Sequence, residues 1–124
     1  MKKFDLSIEN LTAVHQINEE AFGYISDKSA NVCTDLAEIY EDKHDINNAI
    51  EHYKNSYTMW EKLVTNTSQS EVFVNLAIKL AELYNKAGNY HDACEILIYV
   101  NLWYIIFRLS EKTLNFSAIK KNFL

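Results

Sequence analysis

LAEIYEDKHDINNAIEHY, residues 36–53, decides the fold, because LAELYNKAGNYHDACEIL at residues 80–97 repeats it 44 positions later. Leu, Ala, Glu and Tyr stand at 36, 37, 38 and 40 and again at 80, 81, 82 and 84. Ala49 returns as Ala93, Glu51 as Glu95, and a large residue falls at both 53 and 97. Each copy reads as helix, short polar turn, helix. The shared residues are those that let two antiparallel helices touch, with alanines where backbones approach and larger side chains in the neighbouring grooves. Such a pair cannot cover its own apolar face and must stack on another pair, which is the logic of a solenoid.

Composition agrees with helices. The 124 residues include no proline and only Gly23 and Gly88, whereas turn-rich β architectures need many such residues. The length suits one domain over residues 1–124, with the repeats in 23–98 and a divergent tail at 99–124. A net charge of −5 argues against nucleic acid, whose phosphates demand a basic face. Cys33 and Cys94 are expected as small buried residues in a reducing compartment, not as a disulfide. MKKFDLSIENL turns acidic and polar where a secretory signal would be apolar, so a cytoplasmic protein is expected.

Periodicity and punctuation mark out five helical segments. The first spans residues 6–22, with Ile8, Leu11, Val14, Ile17 and Phe22 as its stripe, and Gly23 breaks it. Ser26 or Asp27 caps a second helix bearing Ala30, Cys33, Ala37 and Tyr40. Asp45 caps a third, with Ala49, Ile50, Tyr53, Tyr57 and Trp60, which ends in TNTSQS at 65–70. Ser68 and Glu71 stand in capping-box register ahead of a fourth carrying Phe73, Leu76, Ala77, Leu80, Ala81 and Tyr84. Gly88 stops it, and Asn89 caps a fifth with Ala93, Ile96, Leu97 and Val100.

The pattern resembles the tetratricopeptide repeat (TPR), met by Leu36, Ala37 and Tyr40 on one helix and Ala49, Tyr53 and Ser56 on the next. The second copy departs from it at Leu97 and Val100, and the period of 44 exceeds the usual 34 through longer helices or a longer loop at 64–70. A narrower match is to the soluble NSF attachment proteins. Ala37 to Glu41, Asp45, Ala49, Ile50, His52 and Tyr53 stand in that family's order, and AGNYHDA at 87–93 is similar to its next turn. This likeness covers residues 23–98, a middle portion of the family's longer chain.

The resemblance implies an all-α, antiparallel helix-pair (TPR-like) right-handed solenoid of about five to six helices. It further implies a non-catalytic adaptor in vesicle-mediated protein transport that binds the SNARE four-helix bundle and recruits the hexameric disassembly ATPase. Peripheral association with endomembranes belongs to the same expectation. The family uses two lysines one turn apart against the acidic bundle; Lys79 stands at the second position and Asn75 at the first, and Lys86 is a further candidate. The family's membrane-attachment loop and its acidic, leucine-containing C-terminus have no counterpart here. The alternative is a generic TPR-like scaffold for a helix or extended peptide, with no SNARE role.

No catalytic pattern is legible in the chain. Two glycines make no phosphate-cradling loop, and His15, His44, His52 and His91 form no metal-binding pair with an intervening Glu. No enzyme, cofactor or metal is therefore expected. The acidic EIYEDKHD run reads as a solvated helix end, and Tyr53, Tyr57 and Trp60 as core. ILIYVNLWYIIF, residues 96–107, falls short of the roughly 20 apolar residues of a membrane span and contains Asn101. Residues 99–124 leave three readings open: a terminal helix folding back over the last pair, a sticky surface for a partner, dimer or membrane, or a truncated or aberrant gene-product end.

Overall fold

The computed structural model describes residues 3–113 and 120–122. Its five helices are α1 (Lys3–Phe22), α2 (Asp27–Asp42), α3 (Ile46–Leu63), α4 (Thr67–Lys86) and α5 (Tyr90–Thr113). Residues 120–122 are also helical, and no strand occurs among the described residues. Each helix packs on the one before it and the one after it. The repeated segments are the α2–α3 and α4–α5 hairpins, and α1 precedes the first.

Alanine sets the hairpin geometry. Ala30, Ala37, Ala49, Ala77, Ala81 and Ala93 are all buried in one continuous core cluster. Larger residues close over them: Leu80, Leu83 and Phe73 are fully covered, and Tyr57–Phe73, Phe73–Trp103 and Trp103–Phe107 ring contacts run from α3 through α4 into α5 at centroid distances of 4.9, 4.5 and 5.1 Å. Between α2 and α3 the packing is close enough for the Thr34 and Ser56 hydroxyls to hydrogen-bond at 2.7 Å, with Ser56 wholly buried. Tyr53 and Trp60 are core residues, as the sequence implied.

The 44-residue period comes from helix length. The connections are only three residues long at 43–45, 64–66 and 87–89, while the helices of the two hairpins run 16, 18, 20 and 24 residues. Two of these turns are the same object. In the second, the Gly88 N–H bonds the Asn85 carbonyl (3.1 Å), the Asn89 N–H bonds the Tyr84 carbonyl (2.8 Å), and Gly88 takes φ +83°. In the first, the His44 N–H bonds the Glu41 carbonyl (2.9 Å), the Asp45 N–H bonds the Tyr40 carbonyl (2.9 Å), and His44 takes φ +64°. This is the Schellman closure, with a histidine where the other copy has glycine.

Four expectations need correction. The α4 cap is Asn66, whose side chain accepts from the Gln69 N–H at 2.9 Å while Gln69 Oε1 accepts from the Thr65 N–H at 2.8 Å. The cap thus sits two residues before Ser68, and Gln69 reaches back to the residue preceding the cap, because α4 starts after a connection of only three residues. On α1, Ile8 and Leu11 are half-buried, but Val14, Ile17 and Phe22 are exposed. With α2 as its one neighbour among the described residues, α1 has only a narrow strip to bury. Cys33 is buried and its thiol is pushed up to about 11, by burial first and by Glu19 second; Cys94, by contrast, is exposed, and Leu97 is 45% exposed. Finally, the apolar run at 96–107 is part of a longer helix, and Tyr90–Ser110 is long and apolar enough to cross a membrane by length and composition. One side of that helix, with Val100, Trp103, Ile106 and Phe107, lies in the protein core.

Ser26 and Asp45 cap α2 and α3 as expected, accepting from the Ser29 and Asn48 N–H groups. Of the tail, residues 114–119 and 123–124 lie outside the described residues. Lys120 returns to α3, where its Nζ lies 2.8 Å from Glu61 Oε1.

A left-handed histidine carries a steric cost of about 1–2 kcal/mol that glycine avoids. Glycine's greater freedom in the unfolded chain offsets part of that gain. His44→Gly is therefore expected to raise stability by about 0.5–1 kcal/mol in urea unfolding. A loss of stability would mean that the imidazole makes a compensating contact.

Candidate functional site

Lys79 lies on α4, just past the buried Leu76 and Ala77, and it reaches back across the hairpin boundary. Its Nζ is 2.7 Å from Glu41 Oε2 on α2. The other carboxylate oxygen accepts from the Tyr53 hydroxyl of α3 at 3.1 Å. One carboxylate thus joins three helices. The pair is partly screened from water, with side-chain exposure of 36% for Lys79 and 21% for Glu41.

The electrostatics obey that geometry. Burial pushes the Glu41 carboxyl up, but the hydrogen bond and charge of Lys79, the Tyr53 hydrogen bond and the charge of Lys86 outweigh it and hold the group below the usual carboxylate range. Lys86 stands seven residues after Lys79, two turns along the same side of α4, and sits in the helix's last turn. Burial, and then the nearby Glu41, push the Tyr53 phenol well above its normal value. Glu38 is raised by burial and by Asp35, Asp42 and Glu41, against the opposing charge of Lys79. The lysines therefore stand at the edge of an acidic α2 surface.

Lys79 pairs directly with Glu41, whereas Lys86 acts on the same carboxylate through its charge alone. Asn75 is not part of that node; it lies beside Glu71, Val74 and Tyr104. Glu41 was not a candidate from the sequence, where it belongs only to the repeated and acidic runs. It differs between the copies, being Asn85 in the second, but so do most positions of the repeat, so the sequence does not single it out.

A second node has the same chemistry. Glu61 Oε1 on α3 accepts from the Tyr99 hydroxyl of α5 at 2.6 Å and pairs with Lys120 at 2.8 Å. Of the histidines, His52 on α3 stacks on Tyr40 of α2 with centroids 5.3 Å apart, and exposed His91 lies 3.0 Å from Glu95 one turn on. Among the described residues no group of three or more His, Cys, Asp or Glu side chains is placed to hold a metal ion.

Among known families, the model described as "Soluble NSF attachment protein, SNAP" aligns with residues 11–119. That span is wider than the 23–98 read from the sequence. It takes in most of α1, the whole of α5 and residues 114–119. No curated protein and no solved structure matches.

A depressed carboxylate stabilises the fold above its ordinary pKa of 4.5 and ceases to do so as pH falls through its lowered folded value. Glu41→Gln should cost about 1 kcal/mol at pH 7. Thermal melts from pH 7 down to about pH 3 should show the difference from the unmodified chain shrinking as the carboxylate protonates. A constant difference across that range would show that the Glu41 charge does not couple the helices.

Proposed function

The chain belongs to the soluble NSF attachment protein family, and on that premise we propose that it is a non-catalytic adaptor in vesicle-mediated transport. Its partners on this reading are an assembled SNARE four-helix bundle and the hexameric ATPase that takes such bundles apart. It acts in the cytoplasm and peripherally on endomembranes. The observation that supports this most is the family match over residues 11–119, which includes the helix carrying both candidate lysines.

Lys79 and Lys86 would supply the contact, by electrostatic attraction to acidic side chains of the bundle. Neither does covalent chemistry; their task is to attract, align and hold. Because Lys79 is already paired with Glu41, an acidic partner must displace or share that carboxylate. Asp35, Glu38 and Asp42 on α2 oppose the same partner, so the lysines must outreach them.

The second reading is a TPR-like scaffold for a helix or extended peptide without any SNARE role. The engagement of Lys79 by Glu41 within an acidic surface favours it. The ATPase separates the two, since only the adaptor retains both a SNARE bundle and the ATPase in a pulldown.

Purified protein titrated with an assembled SNARE bundle tests the first reading. Lys79→Gln with Lys86→Gln should slow association and flatten its salt dependence, with modest change in dissociation. Binding that is indifferent to both substitutions would remove the lysines from the interface. No binding by the unmodified chain would leave the scaffold reading.

A further inference from the structure

The internal repeat exposes an asymmetry between its two copies. Between α4 and α5 lies an open groove of about 340 Å³ lined by Ile78, Ala81, Glu82, Tyr90, Cys94 and Leu97, among others. Moved back 44 positions, these residues become Thr34, Ala37, Glu38, Ile46, Ile50 and Tyr53 of the first hairpin. There the corresponding surface is covered: Ile50 and Tyr53 are buried and Ile46 is partly so. The helix after that hairpin is α4, packed on α3 and reaching α2 through Lys79. In the second hairpin the counterparts lie open, with Ile78 43%, Tyr90 64% and Leu97 45% exposed.

We propose that the α4–α5 groove is a docking site for an amphipathic helix of another protein, one that presents an α4-like face. The geometry of the site argues for a helix, since the equivalent surface one repeat earlier is closed by one. Its lining argues for an apolar face with small residues where Ala81 and Ala93 admit close approach. Its charge argues for a lysine or arginine on that helix. Glu38, which feels Lys79 in the first hairpin, recurs as Glu82 at the groove, while Glu41 is replaced by neutral Asn85.

Two occupants from this chain fit less well. The described C-terminal residues lie elsewhere, with Lys120 on Glu61. A second copy's α1, another helix with exposed apolar residues, is opposed by charge, since two chains of net charge −5 repel. The inference concerns a surface separate from the Lys79 node and does not depend on the SNARE reading.

The probe is a fluorescein-labelled synthetic peptide of the α4 sequence, Thr67–Lys86, titrated with the full chain and followed by anisotropy. Saturable binding is expected, weakened at least about tenfold by Leu97→Glu or by Glu82→Lys. The unmodified chain supplies an independent readout. Cys94 is an exposed thiol in the groove and Cys33 is buried, so labelling by a thiol reagent reports the groove selectively. Bound peptide should slow Cys94 labelling several-fold. Absence of saturable binding, or Cys94 labelling that is unchanged at saturation, would overturn the proposal. Self-association in sedimentation that Leu97→Glu abolishes would also overturn it, by assigning the groove to a second copy.

Discussion

Helix axes that approach closely at alanine are the constraint on which the rest of this structure depends. Ala37 and Ala49, and Ala81 and Ala93, carry no side chain beyond Cβ, so the backbones of each hairpin can come together. Neighbouring side chains are then committed. Thr34 and Ser56 come within hydrogen-bond distance, Tyr53 reaches Glu41, and the Tyr57–Phe73–Trp103–Phe107 series threads three helices. The turns are short for the same reason, because two closely packed antiparallel helices leave room for only about three connecting residues. The left-handed residue at each Schellman turn reverses the chain within that length. The fold tolerates a histidine there in one copy because the hydrogen bonds around it are the same.

Stacking the hairpins places polar groups at their boundaries. A carboxylate that receives both a tyrosine hydroxyl and a lysine ammonium can be partly buried without a large penalty, because its charge is matched and its lone pairs are occupied. Glu41 does this between α2, α3 and α4, and Glu61 does it between α3, α5 and Lys120. Both nodes use residues far apart in sequence, so they report the stacking itself. Lys79 is thus already engaged in the resting protein. On the proposed reading, binding an acidic partner would exchange one ion pair for another, which favours speed and reversibility over tight binding.

Much of this was legible from the chain alone. The repeat marked the hairpins, the buried alanines and the turns at Gly23 and Gly88, because those depend on local periodicity and on backbone freedom. Cap residues were legible where one candidate stood alone, as at Asp45, and misplaced where polar candidates crowd together, as at Asn66 and Ser68. Burial of the α1 stripe and of Leu97 was overestimated, since an apolar face is buried only if a neighbour exists, and both lie on surfaces without a further described helix against them. The partner of Lys79 was hidden because an ion pair spanning 38 residues leaves no periodic trace.

Close approach at alanine can be challenged directly by adding volume there. Ala49→Leu places three extra carbons at a fully buried position between α2 and α3, whereas Ala21→Leu makes the same change on an exposed site of α1. Urea unfolding of both is the measurement. Overpacking should cost the first variant about 1–3 kcal/mol and leave the second within about 0.5 kcal/mol of the parent. Equal, small effects at the two sites would show that the helices do not touch at Ala49, and the hairpin account would fail with them.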